Sequence, residues 1–223
     1  MNLSEFIYRY LNFSTICEVL TVVGFCVFII RTFILKKPPV PSSGKNKPSR
    51  ELFQKCLELL KKRDRGSYGI YQVPGDILLQ LQNDLHNEEA LKSLLCSICG
   101  HLGINGEYIR LLTECRRETE YAGNIATNGA FTTIRLELKP GYTLDAIIAI
   151  LAHEATHLQL YYKGIRLKDD WENEILTDTA TVFYGFGEYM YQGYSVLRGE
   201  FAFTYQKVGY ISQDDIKYIM SLL

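Results

Sequence analysis

The apolar positions of this 223-residue chain follow different patterns along its length. From Thr15 to Leu35 they form a nearly continuous stretch, close to the ~20 residues that a helix needs to cross a membrane. Residues 36–50 are rich in Pro, Ser, Gly and Lys, a composition typical of an extended linker. The pattern predicts a short N-terminal segment (1–14), a transmembrane helix (15–35), the linker (36–50) and a folded domain (51–223).

The apolar stretch also admits two other interpretations, a cleaved signal peptide and a buried core helix. We favour a retained membrane helix, because Glu5 and Arg9 precede the stretch and two lysines and two prolines follow it. The basic residues lie mainly near the C-terminal end of the stretch or after it: Arg31 is in its last turns, and Lys36, Lys37, Lys45, Lys47 and Arg50 follow it. By the positive-inside rule, we expect a single-pass membrane protein with its N-terminus outside and its domain in the cytoplasm, where cysteines stay reduced.

Within the domain, apolar residues at helical spacing predict helices over 51–62, 77–102, 144–163 and 171–184, and a short one after Ser212. Asn87 interrupts the second range and is suited to cap a new helix, as Thr143 is for the third. The helix from Leu144 is apolar nearly all round, so we expect it to be central. Three runs rich in β-forming residues, at 108–112, 121–125 and 131–138, predict a small antiparallel sheet. The expected fold class is α+β.

Charge and cysteine content narrow the functional classes. The chain has 24 basic and 25 acidic side chains, so it lacks the basic surplus of a nucleic-acid-binding protein. Cys96 and Cys99 have the spacing of half a thiolate zinc site. No second pair of this kind follows, and both lie in a predicted helix among apolar residues, so we interpret them as small core residues.

The central helix contains the sequence His153-Glu154-Ala155-Thr156-His157. Because a helix turns every ~3.6 residues, the two histidines project from one face and can bind one zinc ion. Zinc keeps a position for water in such a site, and Glu154 can accept the water's proton. The alternative is a pair of core histidines satisfied by hydrogen bonds, but burying three such groups without a common partner is costly.

A catalytic zinc normally takes a third protein ligand. No histidine follows His157, but Asn173-Glu174 and Asp178 lie on the next predicted helix. Glu174 and Asp178 are one turn apart and share a face. A carboxylate ligand, together with a second carboxylate that accepts the free N–H of a ligand histidine, is the expected arrangement.

HExxH followed on the next helix by NExxxD resembles the gluzincin clan of zinc metallopeptidases, especially its minimal single-domain members, over about Tyr108 to Glu188. The resemblance implies His153, His157 and Glu174 as ligands of one Zn²⁺, Glu154 as general base and Asp178 as the partner of a ligand histidine. It also implies a minimal gluzincin-like fold, in which the sheet packs on the HExxH and glutamate helices. Phe131–Leu138, or a strand near it, would be the edge along which a peptide substrate adds.

Thermolysin-like enzymes stabilise the oxyanion with a histidine from a second helical domain, and this chain has no histidine after Glu174. A tyrosine can replace it, and the candidates are Tyr189, Tyr191, Tyr194, Tyr205 and Tyr210. The leading hypothesis is a membrane-anchored zinc metallopeptidase that hydrolyses peptides or proteins. The alternatives are a non-catalytic, zinc-stabilised sensor or scaffold tethered to the membrane, and a latent peptidase inhibited by its own chain. The sequence does not specify the oligomeric state.

Overall fold

A computed structural model describes residues 47–114, 123–128, 131–193, 196–198, 203–205 and 209–223. The chain divides into two units, Met1–Ser42 and Ser43–Leu223, and all of the described residues belong to the second. The predicted N-terminal segment, the predicted transmembrane helix and most of the predicted linker lie outside the described residues.

The membrane prediction needs a correction. Across the described ranges, none of the helices combines the length and the apolar character required for a membrane span. The structure therefore does not support the predicted fold class with its transmembrane helix, nor the single-pass localisation with a cytoplasmic domain. The stretch from Thr15 to Leu35, on which that prediction rested, lies outside the described residues.

Three helices precede the sheet, and they follow the predicted ranges closely: α1 (Arg50–Arg63), α2 (Gly75–Asn83) and α3 (Glu88–His101). The side chain of Asn87 accepts a hydrogen bond from the backbone N–H of Ala90, which confirms the predicted cap. Cys99 is fully buried on α3, where burial raises the pKa of its thiol to about 12. Cys99 thus behaves as a small core residue, whereas Cys96 is only partly buried.

The three-stranded sheet is mixed, so the prediction of an antiparallel sheet was wrong. Its strands are β1 (Ile109–Glu114), β2 (Gly123–Asn128) and β3 (Phe131–Glu137), in the order β1-β3-β2. β2 and β3 are consecutive and pair antiparallel, whereas β3 lies parallel to β1. The most buried strand takes the centre, since Ile134 and Leu136 have no exposed surface. Alternation of apolar residues is the same for both pairing directions, so it could not distinguish them.

The core is built around α4 (Leu144–Tyr162), 14 of whose 19 residues are buried. Thr143 caps α4 as predicted, by accepting a hydrogen bond from the N–H of Ala146. α4 packs against α3, β2, β3 and the next helix, α5 (Asp170–Thr181). A π-helical turn (Val182–Phe186) then leads into α6 (Gly187–Gly193). Gly185 has φ of +93° in this turn, where a side chain would collide with the backbone at Gly69.

A buried carboxylate fixes the end of α1 against the end of α4. Asp64 is 3% exposed, and its Oδ1 accepts from Lys163 Nζ at 2.9 Å and from the N–H of Gly66 at 3.0 Å. Its Oδ2 accepts from the hydroxyls of Tyr184 and Tyr68 at 2.9 and 3.0 Å. Asp64 therefore has its acceptor capacity filled, and it ties the loop after α1 to the C-terminal end of α4 and to the π-helical turn after α5.

The C-terminal part contains a two-stranded antiparallel pair, β4 (Val196–Arg198) and β5 (Phe203–Tyr205), and a last helix, α7 (Gln213–Met220). α7 starts with the capping box of Ser212 and Asp215, which confirms the predicted start. α7 packs against α6 and brings the preceding residues, 209–212, alongside α5.

Candidate metal centre

Two packed helices supply the candidate metal ligands. α4 contributes His153 and His157 from successive turns, and α5 contributes Glu174. Their side chains are 11%, 26% and 16% exposed, so the group lies at the boundary of the core, and His157 is the most exposed of the three. The three residues form a group that could hold a metal ion.

The ligand atoms have the spacing of a metal site. The Nε2 atoms of His153 and His157 are 3.0 Å apart, and Glu174 Oε2 lies 3.5 and 3.3 Å from them, respectively. Bonds of about 2.0–2.1 Å around a tetrahedral zinc ion place neighbouring ligand atoms about 3.3 Å apart. Two imidazole nitrogens and one carboxylate oxygen also form a donor set that zinc accepts, so the residues present fit this ion.

The side chain of Asp178 orients His153. Asp178 is fully buried on α5, one turn after Glu174, and its Oδ1 accepts a hydrogen bond from His153 Nδ1 at 2.8 Å. This hydrogen bond holds the imidazole with its Nδ1 proton towards Asp178 and with Nε2 on the side of Glu174, 3.5 Å from Oε2. Asp178 therefore contacts a candidate ligand histidine, as expected from the sequence, and its part in supporting a metal ligand stays a prediction.

The second oxygen of Asp178 is held by the chain just before α7. Asp178 Oδ2 accepts the backbone N–H groups of Tyr210, at 2.5 Å, and of Ile211, at 3.1 Å. Three donors therefore surround this carboxylate, which keeps it an acceptor toward His153. The site thus depends on residues 33 positions further along the chain.

A hydroxyl group occupies the equivalent position next to His157. Thr177 Oγ1 lies 3.2 Å from His157 Nδ1, and it donates its own proton to the carbonyl of Asn173 at 2.8 Å. Thr177 is 1% exposed, so water does not replace these contacts. Consecutive residues of α5 therefore contact the two histidines, and both Nε2 atoms point into the same space.

The side chain of Asn173 fixes the turn between α4 and α5. Its Nδ2 donates to the carbonyls of Leu167 and Asp169 at 2.9 and 3.0 Å, and its Oδ1 accepts the N–H of Leu167 at 2.7 Å. These bonds fix the start of α5, and Glu174 is the next residue along the chain. Asn173 therefore helps to position Glu174 along α5 so that its carboxylate lies opposite the two histidines.

The charges of the group are strongly coupled. Burial by itself would lower the pKa of His153, but contacts with Asp178 and Glu174 raise it well above its usual value. Burial would likewise raise the pKa of Glu174, but the two histidines beside it hold that pKa far below the usual range. Without a metal, the carboxylates thus favour a positive charge at this point, which a cation can supply instead.

Glu154 lies beside the group in a tight environment. It is 7% exposed, and burial raises the pKa of its carboxyl group despite the nearby imidazoles. β2 crosses over it so closely that a Cβ atom at Gly123 would lie 2.7 Å from Glu154 Oε1. Burial therefore favours the neutral form of this carboxyl group.

β3, the strand predicted to bind a substrate, does not lie at an edge of the described sheet. β3 is paired on both sides, by β1 and β2, so Phe131–Leu138 is not an edge, and that part of the expectation was wrong. In the described part of the sheet, β2 pairs only with β3 and begins at Gly123, next to Glu154. β1 and β2 both flank β3, and β2 is the one that begins beside Glu154.

The five candidate tyrosines separate by position. The ring of Tyr210 stacks on His153, with ring centres 6.2 Å apart and an angle of 26° between the planes. Tyr189 instead packs on Tyr71, and Tyr191 lies beneath Lys217 Nζ. Tyr205 lies in β5, and Tyr194 lies outside the described residues. The structure thus brings Tyr210, and neither Tyr189 nor Tyr191, into contact with a residue of the metal group.

Sequence reasoning missed the contact of Thr177 with His157, the approach of Gly123 to Glu154 and the contact of residues 210–211 with Asp178. Thr177 lies four residues after Asn173 and three after Glu174, so it shares their helix face, and this spacing was the signal available. The approach of Gly123 to Glu154 had no such signal, because it joins a strand to a helix that follows later in the chain.

Comparison of the chain with protein-family models, with curated proteins and with solved structures gives no match. The functional argument therefore rests on the geometry of His153, His157, Glu174 and the residues around them.

Proposed function

We propose that this protein is a zinc-dependent metallopeptidase of gluzincin type that hydrolyses peptide bonds. The observation that carries the proposal is the convergence of three ligand atoms at 3.0–3.5 Å, with the Nδ1 atom of each histidine in contact with a residue of α5. Such support is typical of metal sites and has no evident purpose in a pair of core histidines.

Each residue of the site has a separate role in the proposed hydrolysis. His153, His157 and Glu174 would hold Zn²⁺, which supplies Lewis acidity towards a scissile carbonyl and acidifies water. Glu154, beside these ligands in the HExxH turn, takes the proton of the attacking water and returns it to the leaving amine. Asp178 keeps His153 in the tautomer that leaves Nε2 free.

The position of β2 supports a peptide as the substrate. An extended chain that pairs with the outer edge of β2 would run past Gly123, and therefore past Glu154. Main-chain hydrogen bonds of this kind bind peptides with little dependence on side chains. Tyr210 is the candidate that we retain for oxyanion stabilisation, because its ring lies against His153.

The test uses the full-length protein and a mixed library of quenched fluorescent peptides. The wild type should contain one zinc ion per chain and cleave a subset of the library. Glu154→Gln should retain zinc but lose about 10²- to 10⁴-fold in kcat/KM, the usual contribution of a general base. The matched control is Glu188→Gln, on the exposed surface of α6, which should cleave at the wild-type rate.

Three results would overturn the proposal. A wild-type chain that folds without binding zinc would remove the metal site. A chain that binds zinc but cleaves no peptide would leave the ion a structural role. A Glu154→Gln variant that cleaves as fast as the wild type would remove Glu154 as the general base.

A further inference from the structure

One of three buried threonines of α5 has a contact that the other two lack. Thr177, Thr179 and Thr181 each donate a hydroxyl proton to the carbonyl four residues earlier, at 2.8, 2.7 and 2.8 Å. All three are at most 1% exposed. Of these three, Thr177 alone also has its hydroxyl oxygen within 3.2 Å of a histidine nitrogen, Nδ1 of His157. The bond to the helix carbonyl is common for threonine and needs no functional explanation, whereas the histidine contact does.

The direction of the hydrogen bond to His157 follows from counting protons. A hydroxyl group has one proton and two lone pairs, and Thr177 gives its proton to Asn173. Toward His157 it can therefore only accept, so the imidazole must carry its proton on Nδ1. The Nε2 lone pair of His157 is then available next to Glu174 Oε2, 3.3 Å away.

We propose that Thr177 is a positioning residue of the metal site: its hydroxyl fixes the tautomer and ring orientation of His157 and thereby sets the affinity for the ion. This inference rests on the proposed function in that it requires a metal at the site. The hydroxyl would affect metal affinity because a neutral imidazole has two tautomers, and the one with its proton on Nε2 cannot coordinate a metal through that atom. His157 is also the most exposed of the three ligands, so its ring has the most freedom to turn.

The two histidines are held with unequal strength. His153 donates to a fully buried carboxylate at 2.8 Å, whereas His157 donates to a neutral hydroxyl at 3.2 Å. Hydrogen bonds to a charged acceptor are roughly twice as strong as those to a neutral one. We therefore expect loss of the Thr177 hydroxyl to weaken metal binding less than loss of the Asp178 carboxylate does.

The test measures metal affinity in the full-length chain by competition with a chromophoric chelator, for Zn²⁺ and for Co²⁺. Thr177→Val removes the hydroxyl at nearly constant shape, and Thr177→Ser restores it. Thr179→Val and Thr181→Val are matched controls, because they lose the same helix bond on the same buried helix without touching a ligand. Thr177→Ala gives a second measurement if the valine variant does not fold.

Thr177→Val should bind both ions about 10-fold more weakly, near the lower end of the effect seen for residues that support metal ligands, and its Co²⁺ absorption spectrum should change. Thr177→Ser and both controls should match the wild type. Equal affinities for Thr177→Val and the controls would overturn the inference, as would a serine variant as weak as the valine one. A wild type that binds neither ion would overturn the metal site as well, whereas one that binds zinc without cleaving peptides would overturn the peptidase function alone.

Discussion

The substitution Asp178→Asn tests how the site prepares His153 for a metal. The carboxylate has two acceptor oxygens, one used by His153 Nδ1 and the other by the N–H groups of Tyr210 and Ile211. Asparagine has nearly the same shape but offers one oxygen and one NH₂ group. It therefore cannot accept on both sides, and one set of donors must lose its partner.

Each orientation of the new amide has a calculable cost. If its NH₂ group faces His153, the imidazole must move its proton to Nε2, the atom that would bind the metal. If its oxygen faces His153, the buried N–H of Ile211 and the part-buried N–H of Tyr210 lose their acceptor, at about 1–3 kcal/mol for the buried group and less for the other. We expect zinc affinity to fall by about 10- to 100-fold, which is about 1.4–2.7 kcal/mol. Loss of the backbone hydrogen bonds should also lower the free energy of unfolding.

Two measurements separate these costs. Chelator competition gives the zinc dissociation constant, and urea unfolding of the zinc-free protein gives its stability. Asp170→Asn is the control, since this residue lies on the same helix with a side chain that is 69% exposed and pairs only at the surface. If Asp178→Asn leaves both the dissociation constant and the unfolding free energy unchanged, the hydrogen bonds described here do not support the metal site.

Two further predictions concern the surroundings of the site. In Gly123→Ala, the new Cβ would lie 2.7 Å from Glu154 Oε1 and 2.8 Å from Ile150 Cγ2, so the carboxylate or β2 must move. We expect kcat/KM for peptides to fall by up to about 10²-fold with zinc content unchanged, and full activity would refute this close packing. Burial alone would raise the pKa of Asp64, but the Lys163 ammonium and three further donors lower it. Its stabilising effect is therefore present above the unfolded pKa of about 3.9 and is lost as the pH falls through the folded value. Asp64→Asn should flatten the loss of unfolding free energy below about pH 4 in urea titrations, and parallel curves for variant and wild type would contradict this assignment.

The local parts of the fold were predictable from the sequence because they depend on neighbouring residues. Helical spacing located α4, and the caps at Asn87, Thr143 and Ser212 marked helix starts that the structure confirms. The sheet shows the limit of this reasoning. Runs rich in β-forming residues located all three strands, but insertion of β3 between β1 and β2 depends on which strand buries the most apolar surface in the folded protein.

In the candidate site, too, relations within one helix were predictable and contacts between distant parts of the chain were not. The sequence by itself determined that His153 and His157 share a helix face, and that Glu174 and Asp178 share another, because the helical repeat fixes these relations within a few residues. Only the tertiary structure decided that the two faces meet, that Thr177 contacts His157 and that residues 210–211 contact Asp178. These contacts depend on the turn held by Asn173 and on the packing of α7. They join positions up to 33 residues apart, and no repeat along the chain encodes such a distance.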